Sequence, residues 1–468
     1  MANRILGDLG SKWGKIKPMP FSDDFLWGVA TASYQIEGSP YKAGGGHSVW
    51  DMFCQRPGKI SDASDGAVAC DHFNRFRDDV KLMAELGYPN YRLSIAWPRI
   101  MPSGTGKVDE KGLAFYDQLI DCLLENGINP HVTLYHWDTP WDIYTRGGWL
   151  NPDISDWFAD YTKVVVQKLG DRVASWMTLN EPQCFIGLGM ENGIHAPGDK
   201  LGQQEIMWAI HQSLLAHGKS VQVIRAEATN NPKVGWAPVG VCFTPATESE
   251  ADIAAARSAT VDMPTWSTWN SSLYNDPVFL GHYPDCVNEL WESAYQKPKA
   301  GDMEIINQPL DFYGANIYHA NIVKAGEDGK PEMVDFQIGL GRTLSGWPVA
   351  PEALYWGPKF FYERYGKPIV ITENGLSVSD WVALDGKVHD PQRIDFLNRY
   401  LLQLRRAADD GVDVAGYFQW SFMDNFEWAE GYRYRFGLVH VDFDTQVRIP
   451  KDSAYWYGDV IKANGSNL

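Results

Sequence analysis

The sequence lacks the features of a secreted or membrane-spanning protein. Its first 20 residues carry charges and glycines where a secretory signal needs an apolar core. No uncharged apolar run approaches the roughly 18 to 20 residues that a membrane-crossing helix needs. The cysteines show no CxxC pair or other metal-like spacing; they are Cys54, Cys70, Cys122, Cys184, Cys242 and Cys286. These absences predict a soluble, cytoplasmic protein with free thiols.

Positive charge is also scarce. Lys plus Arg total 41 against 59 Asp plus Glu, which gives a formal net charge of -18. This balance argues against a nucleic-acid or anionic membrane partner and favours a neutral or cationic one. The glycines at 44–46 are not followed by the GK[ST] of a phosphate loop. We therefore expect a small-molecule substrate, no metal and no cofactor, while the composition does not indicate an oligomeric state.

From residue 21 onward, strand-like runs alternate with helix-like runs. The clearest strand is IVIT at 369–372, a β-branched run typical of a strand covered on both faces, and it leads directly to Glu373. We predict eight strands, at residues 25–31, 91–97, 130–137, 175–180, 234–242, 312–318, 368–373 and 414–420. Amphipathic runs predict helices at residues 71–87, 110–127, 154–170, 204–228, 352–365 and 392–411.

Eight strand-helix units favour one (β/α)₈ barrel over two doubly wound sheets. No linker, repeat or low-complexity segment divides the chain. We predict a single catalytic domain at residues 21–468 and an N-terminal extension of unknown role at residues 1–20. Long loops would account for the excess length, with the largest insertions at 245–309 and 321–351.

Barrel enzymes carry their chemistry at the carboxyl ends of the strands, and two glutamates are predicted there. Glu181 follows the fourth strand and Glu373 ends the seventh. Taken alone, Glu373 is as compatible with a surface helix cap. As a pair, they suggest glycoside hydrolysis, with ionised Glu373 raising the pKa of Glu181. A separation of about 5 to 5.5 Å would give retention of configuration and about 6.5 to 9.5 Å inversion.

Several segments then combine into a specific pattern. They are FLWGVATASYQIEG at 25–38, YHWDTP at 135–140, NEP at 180–182, ITENG at 371–375, WSFMDNFEWAEGY at 420–432 and RFGLVHVD at 435–442. Together they resemble, in order, the signature segments of glycoside hydrolase family 1, the retaining β-glucosidase family. The resemblance spans about residues 21–459, and its specificity comes from the set, since each short motif alone is weak.

The resemblance implies roles for individual residues. It implies that Glu373 is the nucleophile and Glu181 the acid/base, with Asn180 holding the sugar 2-hydroxyl. It further implies that Tyr318 bonds the nucleophile and that Arg92 supports it. The substrate-binding set that it implies is Gln35, His136, Trp137, Asn316, Trp347, Trp420, Glu427, Trp428 and Phe436.

Particular positions refine the expected substrate. By the same resemblance, family members that cleave 6-phosphorylated sugars have Ser at the position of Glu427. A carboxylate there would repel phosphate, so we expect an unphosphorylated sugar. Gln183 stands where the family often has Trp, and Trp141 follows the YHWDTP segment. Both departures predict altered contacts with the leaving group. Asp424 and Glu430 receive no role.

The leading hypothesis is an exo-acting retaining β-glucosidase. Its substrates would be short oligosaccharides, such as cellobiose, or aryl and alkyl glucosides, with side activity on β-galactosides and β-fucosides. A transglycosidase would use the same two glutamates. A catalytically silent sugar-binding barrel is the third alternative, and the presence of both Glu181 and Glu373 argues against it.

Overall fold

The structure is a computed structural model that describes residues 19–38 and 40–468. The predicted extension at residues 1–20 therefore lies outside the described residues except for its last two positions. Eight parallel strands close into a barrel: β1 Leu26–Ala30, β2 Asn90–Ser94, β3 Asn129–Tyr135, β4 Ser175–Asn180, β5 Lys233–Ala237, β6 Phe312–Asn316, β7 Ile369–Asn374 and β8 Val414–Trp420. Each strand pairs with its neighbours in sequence, and β8 pairs with β1. The predicted (β/α)₈ barrel is confirmed.

Helices alternate with the strands and cover the barrel. They are His72–Glu85, Glu110–Glu125, Ile154–Leu169, Gln203–Glu227, Glu250–Val261, Ala353–Tyr365, Pro391–Asp409 and Asp452–Lys462. Every residue of β4 and β7 is buried, as expected for parallel strands covered on both faces. The carboxyl ends of β4 and β7 therefore deliver their last side chains into an enclosed barrel mouth.

Prolines shorten two of the predicted strands. The strand predicted at 234–242 ends at Ala237, because Pro238 has no N–H to donate to a ladder. The strand predicted at 91–97 ends at Ser94, and the helix Trp97–Ile100 begins with Pro98 in its first turn. Both strands therefore end earlier in the chain than their apolar runs suggest.

The insertion at 245–309 is helical rather than the long loop that we expected. After the barrel helix Glu250–Val261 it contains Ser271–Leu280, Asp285–Ser293 and Asp302–Ile306. Side chains of Ser249 and Asn270 accept backbone N–H groups and so cap two of these helices. The second insertion contributes the antiparallel strands Asn321–Ala325 and Pro331–Val334, which Phe243–Pro245 joins.

Short elements make up the rest of the fold. They are the helices Ser33–Ile36, Val49–Cys54, Trp97–Ile100 and Trp141–Thr145, the 3₁₀ turns Pro40–Ala43, Gly148–Leu150 and Trp428–Glu430, the π-helix Gln183–Glu191, and the strand pair Val439–Val441 and Arg448–Pro450. All of the cysteines are free thiols. Among residues 19–38 and 40–468, no helix combines the length and the apolar character needed to cross a bilayer.

Candidate active site

The two predicted glutamates lie at strand ends in the barrel mouth. Glu373 belongs to β7, and Glu181 follows the last residue of β4; they are 4% and 7% exposed. Glu181 has a left-handed backbone, with a φ of 46°, and its N–H donates to the carbonyl of Ala237 at 2.8 Å. Left-handed non-glycine residues are costly and cluster at functional sites.

Glu373 is surrounded by groups that favour its ionised form. Arg92 Nη1 lies 2.5 Å from Glu373 Oε1, and the Tyr318 hydroxyl donates to Oε2 at 2.8 Å. Arg92 also donates through Nη2 to Asn180 Oδ1 at 2.6 Å, which fixes the guanidinium between the two strands. The pKa of Glu373 is raised above its ordinary value by burial, and the charge of Arg92 and the bonds from Arg92 and Tyr318 limit this rise.

Glu181 is bound by neutral donors. Asn316 Nδ2 donates to Glu181 Oε1 at 2.9 Å, and the Cys184 thiol adds a second hydrogen bond. Burial raises the pKa of Glu181 to about 8, with the negative charge of Glu373 as the second cause. The predicted direction is therefore correct, but desolvation contributes more than the repulsion from Glu373 to which the sequence argument attributed the shift.

Asn316 connects the two glutamates. Its Nδ2 also donates to Asn180 Oδ1 at 3.0 Å, and its Oδ1 accepts from Thr372 Oγ1 at 2.6 Å. The same side chain also acts to lower the pKa of Glu373. Thr372 was missed by the sequence reasoning, although a hydroxyl in an otherwise apolar buried strand was a usable signal.

Two predicted sugar-binding residues carry polar atoms without a partner among the described residues. Gln35 Nε2 donates to Asn425 Oδ1 at 3.0 Å and to Glu427 Oε2 at 3.4 Å, while Gln35 Oε1 is buried and unpaired. His136 Nε2 lies 3.1 Å from Asn180 Nδ2, while His136 Nδ1 is buried and unpaired. Buried unpaired polar atoms are costly, and sugar hydroxyls offer matching donors and acceptors.

The pKa values of Glu427 and His136, on this sugar-binding side of the mouth, are also shifted from their ordinary values. Burial raises the pKa of Glu427 to about 8, followed by the charges of Glu373 and Glu181. Burial, followed by the charge of Arg92, lowers the pKa of His136 well below its usual range. Near neutral pH, His136 is therefore uncharged and Glu427 keeps its proton.

Aromatic rings line the same mouth. The His136 ring stacks on Trp420 and Trp428 at centroid distances of 5.7 and 5.8 Å. Trp137 lies 4.5 Å from Trp428, and its Nε1 donates to the Asn180 carbonyl at 2.9 Å. Trp137 and Trp428 both have left-handed backbones, with φ of 76° and 49°.

A second group of aromatic rings surrounds Tyr318, which bonds Glu373. Trp347 lies 5.2 Å from Tyr318 and 6.3 Å from Phe436, and Phe436 lies 6.1 Å from Tyr318. Trp420 packs in the same apolar cluster. Direct contacts thus bring all of the predicted catalytic and substrate-binding residues into one connected group at the barrel mouth.

Other residues near the mouth have structural contacts. Asp424, to which we assigned no catalytic or binding role, is fully buried and accepts from Arg435 and Lys451, each at 2.7 Å. A charged residue inside the run WSFMDNF was a usable signal of a buried ion pair. Gln183 is fully buried and bonds the backbone of Val239, and the expected change in leaving-group contacts stays a prediction.

Two further residues lie away from the two glutamates. Glu430 accepts from Ser61 Oγ at 3.0 Å. Trp141 begins the helix Trp141–Thr145 and packs on Tyr144 with their rings 5.0 Å apart. Among residues 19–38 and 40–468, no cluster of His, Cys, Asp or Glu is arranged to hold a metal ion.

A parallel barrel whose mouth holds two buried carboxyl groups among neutral hydrogen bonders and aromatic rings defines a glycoside hydrolase. The model of glycosyl hydrolase family 1 matches residues 17–466. The chain belongs to this family, as its signature segments suggested.

Relatives of the chain cover nearly its whole length. It is 47% identical to the 1,4-β-D-glucan glucohydrolase of Thermotoga neapolitana over 95% of this chain and 99% of the relative. It is 45% identical to β-glucosidase A of Thermotoga maritima, over 95% and 98%. A solved structure of β-glucosidase from Thermotoga maritima in complex with glucoimidazole superposes with a TM-score of 0.86 at 45% identity, covering 95% of this chain and 99% of that one.

Proposed function

We propose that this family 1 enzyme is an exo-acting retaining β-glucosidase with Glu373 as nucleophile and Glu181 as acid/base. Its substrates are short oligosaccharides, such as cellobiose, and aryl or alkyl β-glucosides. The names of the relatives support this substrate class, and the Thermotoga maritima β-glucosidase has been solved with glucoimidazole and with deoxynojirimycin.

The observation that carries the proposal is the difference between the partners of the two glutamates. Glu373 faces the guanidinium of Arg92 and the hydroxyl of Tyr318. Glu181 faces the neutral amide of Asn316, and its pKa is raised to about 8. At neutral pH the pair therefore holds one proton, on Glu181, which is the state that glycosidic bond cleavage requires.

In the first step, a Glu373 oxygen attacks the anomeric carbon of the terminal nonreducing glucosyl residue. Glu181 gives its proton to the glycosidic oxygen as the bond from that oxygen to the anomeric carbon breaks. The aglycone leaves as an alcohol, and the sugar remains as an ester of Glu373. Asn180 bonds the sugar 2-hydroxyl, a contact that strengthens as oxocarbenium character develops.

In the second step, the roles of the two residues reverse. Esterification removes the charge of Glu373, one of the two largest causes of the raised Glu181 pKa. Glu181, now ionised, takes a proton from water as the water oxygen attacks the anomeric carbon. The ester bond breaks, and both carboxyl groups return to their starting states. Tyr318 and Arg92 stabilise the carboxylate that leaves.

Retention is supported by the amide that the two glutamates share. Asn316 donates to Glu181 Oε1 at 2.9 Å, and its side chain lies close enough to Glu373 to act on the pKa of that carboxyl as well. Carboxyl groups that reach one amide fit the separation of about 5 to 5.5 Å in retaining enzymes better than the 6.5 to 9.5 Å that an interposed water needs.

The sugar is held by the unpaired atoms of the mouth. Gln35 Oε1 and His136 Nδ1 bind hydroxyls, Glu427 accepts or donates to a further one, and Trp420 lies against the ring. A phosphorylated sugar is rejected, because Glu427, protonated near neutral pH, offers a phosphate dianion no positive charge to pair with. β-Galactosides and β-fucosides are side substrates.

The proposed catalytic unit is one domain at residues 21–468. The pairing of β8 with β1 supports this organisation, since the barrel closes through the two ends of the chain. The extension at residues 1–20 has no part in the proposed chemistry.

A panel of p-nitrophenyl β-glycosides, with NMR detection of the first anomer released, tests this function. We expect turnover of the glucoside, slower turnover of the galactoside and fucoside, and β-glucose as the first product. Release of α-glucose first would contradict retention. No turnover would identify a silent barrel, and products longer than the substrate at high concentration would identify a transglycosidase.

A further inference from the structure

Gln183 forms a two-bond clamp with the segment that follows β5. Its Nε2 donates to the Val239 carbonyl at 3.2 Å, and the Val239 N–H donates to its Oε1 at 3.2 Å. The side chain is fully buried, and Gln183 is the first residue of the π-helix Gln183–Glu191. π-Helical turns are rare in proteins, and those that do occur often lie at functional sites. The amide therefore satisfies both backbone groups of a residue that has left the strand ladder.

The clamped segment, residues 237–240, hydrogen-bonds to two strand ends at the proposed acid/base. They are Glu181, which follows β4, and Asn316, which ends β6. The Ala237 carbonyl accepts the Glu181 N–H at 2.8 Å. The Asn316 N–H donates to the Pro238 carbonyl at 3.1 Å, and the Gly240 N–H donates to the Asn316 carbonyl at 2.9 Å. The backbone of Asn316 is thus held on both sides by the segment that Gln183 clamps.

Asn316 transmits this restraint to the acid/base. Its Nδ2 donates to Glu181 Oε1 at 2.9 Å, and its Oδ1 is fixed by the Thr372 hydroxyl at 2.6 Å. Hydrogen-bond donation to a carboxylate favours its ionised form. The position of Asn316 therefore affects both the direction in which Glu181 points and the pH at which it loses its proton.

We propose that Gln183 is a positioning residue for Glu181, an inference that rests on the proposed function. It acts through Val239 and Asn316 and touches neither the sugar nor the leaving group. The Glu181 backbone is left-handed, a costly conformation that persists only where its surroundings hold it. A two-bond amide clamp two residues further along the chain, on the same segment that accepts the Glu181 N–H, supplies such a hold.

The variant Gln183→Met tests this inference, because methionine keeps the length of the side chain and removes both hydrogen bonds. We measure kcat/KM on an alkyl β-glucoside, whose departure needs a proton, and on 2,4-dinitrophenyl β-glucoside, whose departure does not. A positioning residue for the acid predicts a loss of about tenfold on the first and less than about twofold on the second. The basic limb of the pH profile should also move to higher pH, because the bond from Asn316 weakens.

Equal losses on both substrates, or a change confined to KM for the aryl substrate, would overturn the inference. Gln183→Asn keeps the amide but shortens the side chain by one methylene, so it cannot meet both Val239 groups. It should show the same selective loss, and it decides the question if the methionine variant does not fold. Wild-type behaviour of Gln183→Asn would also overturn the inference.

Gln403→Met is the matched control. Gln403 is a buried glutamine in the helix Pro391–Asp409, and its Oε1 has no hydrogen-bond partner among the described residues. The same substitution there should leave the ratio of the two activities unchanged. Wild-type turnover of glucosides tests the proposed function separately, and the leaving-group comparison can be made on whichever glycone the enzyme accepts.

Discussion

Two groups of buried or partly buried carboxyl groups lie on the loops and strand ends of the barrel mouth, and they differ in the cations that face them. The catalytic group consists of Glu181, Glu373 and Glu427. Within the part of the chain that the structure describes, the ion-pair partner of this group is Arg92. The scaffold group consists of Asp380, Asp390 and Asp424, which pair with Arg393, Arg435 and Lys451. The first group has an excess of acid, and the second is balanced.

The balance decides how these acids titrate. Burial raises the pKa of Glu181 and of Glu427 to about 8, because one guanidinium does not offset three acids. Burial also acts to raise the pKa of Asp380, but the charges of Lys451 and Arg393 outweigh it and the net shift is downward. Asp380 therefore stays ionised beside its cations, whereas the acid-rich group keeps a proton that it can transfer.

Removing the proposed nucleophile should have the largest effect on the proposed catalytic group. Glu373→Ala leaves no carboxylate to form the glycosyl ester and leaves Arg92 unpaired. We expect kcat on p-nitrophenyl β-glucoside to fall by at least about 10⁴-fold. Glu292→Ala, at an exposed glutamate of the helix Asp285–Ser293, is the control and should be fully active. Near-normal activity of Glu373→Ala would show that the nucleophile lies elsewhere.

Removing the proton donor should have a smaller effect that depends on the substrate. Glu181→Ala should slow an alkyl β-glucoside by about 10² to 10⁴-fold and a dinitrophenyl glucoside much less in the first step. Wild-type kcat/KM should fall as pH rises through about 8, where Glu181 loses its proton, and the variant should lack this limb. Equal slowing of both substrates would argue against Glu181 as the acid.

Local sequence patterns predicted much of the catalytic group. The runs at 175–180 and 414–420 became β4 and β8 with the predicted bounds, because strand formation there depends on a continuous apolar segment. Since parallel strands of a barrel end at one face, Glu181 and Glu373 were expected to meet once the strands were identified. The insertion at 245–309 was harder, because its short helices depend on caps such as Ser249 rather than on strong periodicity.

The scaffold group and the Gln183 clamp were not predictable in this way. Gln183 bonds Val239, 56 residues later, and Lys451 bonds Asp424 and Asp380, 27 and 71 residues earlier. No local pattern specifies such partners, since they depend on how the strand-end loops pack. Polar residues whose partners lie in other loops were therefore given no specific partner from the sequence.

Breaking the balance of the scaffold group should reduce stability. Asp424→Asn keeps the shape of the side chain but leaves fully buried Lys451 with Asp380 as its remaining anion. We expect a loss of about 3 to 5 kcal/mol in the free energy of unfolding, measured by chemical denaturation. Glu85→Gln, which removes an exposed ion pair with Lys81, should cause no measurable change. An equally stable Asp424→Asn would mean that the network's charges are not needed for folding.

Removing an acid from the catalytic group should have the opposite sign and a smaller size. The folded-state pKa of Glu427 is about 8 against 4.5 for a free glutamate, so the folded state binds more protons, and stability falls as pH rises from about 4.5 to about 8. Glu427→Gln removes this cost. We expect no gain near pH 4.5 and a gain of about 1 to 2 kcal/mol at pH 8.

Denaturation of wild type and Glu427→Gln at both pH values measures this gain, with Glu292→Gln as an exposed control that should follow wild type. Some pH dependence should remain in Glu427→Gln, because Glu181 also has a raised pKa. A loss of stability of equal size at both pH values would mean that the bond from Gln35 to Glu427, at 3.4 Å, outweighs the unbalanced charge. A gain confined to high pH, beside the loss in Asp424→Asn, would show that charge balance separates the acids that hold the barrel mouth from those that react in it.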